Sequence, residues 1–114
     1  MSSKNESNVC GDCKKIPFRW SAMDKHVPEQ IGIYGFWFRG YCIYIGKTEK
    51  QSLKKRLSDH WKGSHNITLN LWISAKRDEL KISFIEIKNQ NEMSVYERYF
   101  IRHYQPLTNK IRHD

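Results

Sequence analysis

Two short runs rich in β-branched and aromatic residues, 31–39 and 41–46, meet at Arg39-Gly40, and that pattern folds most readily as a β-hairpin. Alternation sets its faces, with Gly32, Tyr34, Phe36 and Phe38 on one side and Ile31, Ile33 and Trp37 on the other. Inside the hairpin sit two tripeptides, Gly32-Ile33-Tyr34 and Tyr44-Ile45-Gly46. If the register permits, they bring two phenols onto one surface of the sheet.

The chain turns polar through Lys47-Thr48-Glu49, after which Leu53, Leu57 and Trp61 recur at helical spacing between Ser52 and Lys62, with Gly63 as the stop. Arg56 and His60, four residues apart, share one face of that helix beside the apolar stripe. A second helix is expected over 66–76, carrying Leu69, Leu71, Trp72 and Ile73. Residues 80–87 predict a third strand, apolar on both sides and therefore central. Asn91 is placed to cap a last helix that runs to about Tyr104, with apolar bulk from Val95, Tyr96, Tyr99 and Phe100 and an end marked by Pro106. The expected fold is α/β (α+β): a small three-stranded antiparallel sheet flanked by helices, in the order β-β-α-α-β-α.

Ahead of the hairpin, Phe18, Trp20 and Met23 suggest an ordered lead-in of unassigned secondary structure, and residues 1–15 read as a polar, flexible arm. One domain is expected over 16–114, since a chain of 114 residues has the surface to bury one core and not two. A hydrophobic fraction of 39%, with four Trp and six Tyr, is too apolar for a disordered chain. Twenty Lys and Arg against twelve Asp and Glu give a net charge of +8, which favours a polyanionic partner such as nucleic acid but fits a solvated basic face as well.

No apolar run approaches the roughly 18 residues of a membrane span, and Met1 to Asn8 lack the apolar stretch of a secretory signal, so no membrane association and a cytoplasmic location are expected. Cys10, Cys13 and Cys42 do not make a disulfide framework. Cys10-Gly11-Asp12-Cys13 has the spacing of half a zinc knuckle, without the second cysteine pair that would complete it.

Taken in order, Gly32-Ile33-Tyr34, Tyr44-Ile45-Gly46, Leu53-Lys54-Lys55-Arg56-Leu57 with His60, Tyr96-Glu97-Arg98 and Asn109 resemble the GIY-YIG nuclease family over residues 32 to 109. That family is marked by the two tripeptides in a hairpin, an Arg and a His or Tyr on the next helix, a metal-binding Glu on a later helix, and a following Asn. The stretch from Gly46 to Arg56 is longer here than in typical members. The resemblance implies an endonuclease that cleaves DNA with one divalent metal ion, Mg²⁺ or else Mn²⁺.

Cutting a phosphodiester needs an activated water, neutralisation of charge on the non-bridging oxygens and help for the departing oxygen. The resemblance assigns those tasks to Tyr34, Tyr44, Arg56, His60 and Glu97. Glu97 is the expected metal ligand, Arg56 the guanidinium on the scissile phosphate, Tyr34 the group that activates water and Tyr44 a hydrogen-bonding partner nearby. His60 is left to orient or deprotonate Tyr34 or to bond the phosphate. Lys47, Thr48, Lys54, Lys55 and Asn109 are candidate DNA and phosphate contacts, Asn109 also tying the chain end back to the site, and Gly32 and Gly46 are structural members of the motif. A binding module that keeps the fold without turnover, a homodimer, and a catalytic subunit relying on a partner for target recognition are further readings of the same pattern.

Overall fold

The computed structural model describes residues 14–109, so the Cys10 and Cys13 pair and all but the end of the N-terminal arm lie outside the described residues. The elements in chain order are β1 (Ile16–Pro17), α1 (Trp20–His26), β2 (Gly32–Phe38), β3 (Tyr41–Lys47), α2 (Leu53–Lys62), α3 (Ile67–Lys76), β4 (Leu80–Glu86) and α4 (Met93–Tyr104). They build one antiparallel sheet of four strands in the order β1-β4-β2-β3, not the three expected. The additional strand is only two residues long, too short for alternation to reveal, and it places Pro17 at the sheet edge, where a missing N–H costs least. The lead-in is the short helix α1, which Arg19 starts without a side-chain cap and which packs Met23 into the core.

The hairpin turns at Arg39 (φ 50°) and Gly40 (φ 88°), the two positive-φ residues of a type I′ loop. Beyond the turn, one irregularity decides the chemistry. Phe38 faces Tyr41 and Trp37 faces Cys42, but Phe36 faces Tyr44, so Ile43 is an extra residue in β3. Without this bulge Tyr44 would oppose Gly35 and point away from Tyr34, because a one-residue slip reverses every side chain. With it, Tyr44 lies on the face that carries Tyr34 and Phe36.

Each face of the sheet has its own core. Tyr34, Phe36, Ile43, Leu80 and Ile82 are buried under α1, α2 and α3, which contribute Met23, Leu53, Leu57, Leu69 and Ile73. Ile33, Trp37, Cys42, Ile45 and Ile87 are buried on the opposite face with Met93 and Phe100 of α4. Ser52 caps α2 by accepting from the Lys55 amide at 3.1 Å, and Asn66 caps α3 by accepting from the Leu69 amide at 2.9 Å.

Two helices present different faces from those expected. Leu71 of α3 is exposed. Val95, Tyr96 and Tyr99 of α4 are exposed as well, while Met93 and Phe100 turn inward. Asn91 does not cap α4: Gln90–Glu92 form a 3₁₀ turn, which Asn89 caps by accepting from the Asn91 amide at 2.9 Å.

The free edge of β3 is closed by the chain beyond α4. The amides of Leu107 and Thr108 donate to the carbonyls of Cys42 and Ile43, at 3.2 and 2.9 Å. Asn109 then mimics a strand, its Oδ1 accepting from the Ile45 amide at 2.9 Å and its Nδ2 donating to the Ile45 carbonyl at 3.0 Å. Asn109 is 6% exposed, so its replacement by alanine strands two buried backbone groups. Asn109→Ala should lower stability by about 2 kcal/mol, read as a fall in the urea midpoint.

Candidate active site

Tyr34 stands at the centre, with no exposed surface. The register puts it directly opposite Gly46, and the missing side chain makes room for the phenol: a Cβ at Gly46 would lie 2.5 Å from the Tyr34 hydroxyl and 2.7 Å from the Tyr44 ring. Gly32 answers a different close approach, since a Cβ there would collide with the backbone carbonyl of Ile85.

The helix α2 lies over this face, burying Leu53, Leu57 and His60 along one stripe. The spacing of Arg56 and His60 then aims both at the same atom. Arg56 Nε donates to the Tyr34 hydroxyl at 3.3 Å, and His60 Nε2 lies 2.7 Å from it. Tyr34 is also hydrogen-bonded to Tyr44, which is half-buried. Four of the five expected catalytic residues thus meet around one phenol oxygen.

Burial governs the protonation of the pair. Removal from water, reinforced by the neighbouring Tyr44, holds the Tyr34 phenol well above its ordinary value of 10.0, against the pull of Arg56. His60 falls from 6.5 to about 4, mainly because burial disfavours the imidazolium and also because Arg56 is close. The imidazole is therefore neutral at neutral pH. Since its folded value is depressed, its contribution to stability is complete above pH 6.5 and is lost as the pH falls toward 4. The expected loss approaches about 1.4 kcal/mol per pH unit within that window. Urea titrations at stepped pH should show this slope, and His60→Gln should flatten it.

Glu97 comes from α4, on the other face of the sheet. It is half-buried, and at helical spacing it falls between Met93 and Phe100, two of the residues by which α4 docks. A carboxylate in an inward-facing apolar stripe is unusual unless it has a task. Among the described residues no group of three or more His, Cys, Asp or Glu side chains comes together to hold a metal.

The other expected contacts divide between surface and interior. Thr48 is 1% exposed and is spent on the backbone, its hydroxyl accepting from the Gly32 amide at 3.1 Å. Lys47 pairs with Glu49 at 2.9 Å, Lys54 with Asp24 at 3.5 Å and Lys55 with Asp59 at 2.8 Å. Glu49 and Asp24 are exposed and Asp59 is half-buried, and ion pairs open to solvent are weak enough to exchange for a phosphate. Glu49 escaped the sequence reading, although its place two residues after Lys47 was the available signal. Its carboxyl is held below the usual range first by Lys47, with Arg56 adding to the effect. A cleft of about 250 Å³ opens beside Arg56 and His60, lined also by Asp59, Lys62 and His65. A larger cavity of about 890 Å³, bounded by Glu29, Gln30, Lys50, Glu86 and Lys88, touches none of the catalytic candidates.

Residues 30–112 match the family model described as the GIY-YIG catalytic domain. Among solved structures, the chain is similar to the GIY-YIG N-terminal endonuclease domain of UvrC from Thermotoga maritima bound to magnesium, its catalytic divalent cation. The identity is 29%, the match covers 75% of this chain and 93% of that one, and the TM-score is 0.58. Two point mutants of that domain bound to its catalytic divalent cation, a tyrosine-to-phenylalanine and an asparagine-to-alanine variant, match at 29% identity with TM-scores of 0.58 and 0.57, each over 75% of this chain and 92% of theirs. The curated proteins returned no match. Since the family model spans most of the chain and solved members share the fold on which the tyrosines and α2 converge, the chain belongs to the GIY-YIG family of endonucleases.

Proposed function

We propose that this protein is a metal-dependent endonuclease that hydrolyses DNA phosphodiester bonds at one site formed by Tyr34, Tyr44, Arg56, His60 and Glu97. The observation that carries this reading is the convergence of Arg56, His60 and Tyr44 on the Tyr34 hydroxyl, beside an open cleft. The net charge of +8 supports a polyanionic substrate.

The donor set fits a hard ion. One protein carboxylate, Glu97, suits Mg²⁺, which dehydrates reluctantly and takes waters and substrate oxygens as its remaining ligands; Mn²⁺ is the next choice. When bound, such an ion supplies Lewis-acid stabilisation of the phosphate and favours ionisation of water.

The protein's own side chains do the rest. Arg56, half-buried and permanently charged, holds a non-bridging oxygen of the scissile phosphate and balances the charge that builds there. Lys47 exchanges Glu49 for a neighbouring phosphate. Tyr34 is revised from its expected role: with no exposed surface and a phenol held neutral by burial, it does not meet the attacking water. Tyr44 is the half-buried phenol next to it and, as the phenolate formed when its own proton passes to solvent, the one placed to take the water's proton, while Tyr34 fixes its position. Asn109 acts by holding the backbone of Ile45, beside Tyr44, in place.

One site per chain cuts one strand, so a double-strand break requires a second copy or a second visit, and target choice falls to a partner or a further domain. Among the described residues no helix is long and apolar enough to cross a membrane. The test is to incubate purified protein with supercoiled plasmid in Mg²⁺ or in EDTA. Nicking in Mg²⁺ that EDTA abolishes is the expected result; binding without cleavage in either Mg²⁺ or Mn²⁺ would leave a nucleic-acid binding module instead.

A further inference from the structure

One nitrogen of the active-site imidazole has no partner among the described residues. His60 is 4% exposed, its Nε2 lies 2.7 Å from the Tyr34 hydroxyl, and its Nδ1 is buried with no hydrogen-bond partner among the described residues. A neutral imidazole carries its proton on one nitrogen or the other. With the proton on Nδ1, the ring would bury an N–H that has no acceptor, and orphaned buried donors are among the rarest features of folded proteins. With the proton on Nε2, the orphan is only a lone pair, and the N–H is used on the phenol oxygen.

We infer that His60 is locked in the Nε2–H form and donates to Tyr34, acting as a positioning residue and not as the base that takes the Tyr34 proton. The catalytic consequence rests on the nuclease reading; the tautomer does not.

A direction follows for the whole network. The Tyr34 oxygen accepts from His60 Nε2–H and from Arg56 Nε–H, which uses both of its lone pairs. Its own O–H is then the one donor left, and Tyr44 is the remaining hydrogen-bonded neighbour. Each bond polarises the next in the same sense, from α2 through Tyr34 to Tyr44. Negative charge on the Tyr44 oxygen, present once that phenol has ionised to act as base, meets a fixed donor, with no reorganisation at the moment of reaction. Were the ring reversed, the Tyr34 O–H would be spent on His60, and a Tyr44 phenolate would have no donor from Tyr34.

Two measurements on the full chain decide the matter. In ¹⁵N-histidine-labelled protein, with the His60 resonances identified by their absence from His60→Gln, long-range nitrogen–proton spectra should show a protonated Nε2 and an unprotonated Nδ1. Tyr34→Phe should move the Nε2 signal. In parallel, the amide of Gln can place an N–H near the Nε2 position, whereas that of Asn reaches only the Nδ1 position. His60→Gln should therefore keep the nicking rate within about tenfold, and His60→Asn, folded by circular dichroism, should lose about a hundredfold. A protonated Nδ1, or His60→Asn as active as His60→Gln, overturns the assignment. A wild type that fails to nick DNA yet shows the Nε2–H signature refutes the nuclease reading and leaves the tautomer standing.

Discussion

Glu97→Ala should lower the single-turnover cleavage rate by about a thousandfold or more while DNA affinity falls by less than about tenfold, because it removes several kcal/mol of metal-supplied transition-state stabilisation and few phosphate contacts. The fold should survive the change: α4 is anchored by Met93 and Phe100, which flank the carboxylate, and by the return of Leu107 and Thr108 to β3. Burst rates on a labelled duplex, set beside gel-shift affinities, separate the two quantities. Cleavage by the variant within tenfold of wild type would place the metal elsewhere.

Arg56→Ala comes second, with an expected loss of about 10² to 10³ in rate. Two contributions combine here, the lost charge on the phosphate and the lost Nε donor to Tyr34. Arg56→Lys should recover little of it, since a lysine has neither the fork nor an N–H at the Nε position. Thermal stability should change much less than rate, because the side chain is only half-buried. Arg56→Lys near wild-type rate would mean that charge alone suffices and that the bond to Tyr34 is incidental.

What could be read from residues alone tracks the reach of local rules. The hairpin was legible because β2 and β3 alternate on either side of a tight turn, and α2 because Leu53, Leu57, Arg56 and His60 sit at helical spacing between Ser52 and Gly63. Strand β1 and helix α1 were not, since two residues show no period and α1 has no capping side chain. The inward face of α4 was misread because Val95, Tyr96 and Tyr99 are as apolar in composition as Met93 and Phe100, and only docking against Ile33 and Ile45 decides between the two stripes. The shared face of Tyr34 and Tyr44 was foreseen, but its cause was not: the bulge at Ile43 leaves no mark in the sequence.

Site chemistry divides in the same way. The convergence of Arg56 and His60 follows from their spacing, whereas the burial of Tyr34, on which the proposed water-facing role of Tyr44 rests, depends on how α2 settles on the sheet. Thr48 and Asn109 look like polar groups free for a ligand until the backbone that they bind is in place.

The proposed site requires one metal serving both α4 and the cluster under α2, and paramagnetic broadening tests that most directly. Substoichiometric Mn²⁺ added to ¹⁵N-labelled protein should broaden the signals of Tyr44, Arg56 and Glu97 before those of α3 or the Arg39-Gly40 turn, and Glu97→Ala should abolish the effect. Broadening that spares Tyr44 and Arg56, or that persists in Glu97→Ala, would contradict the shared site.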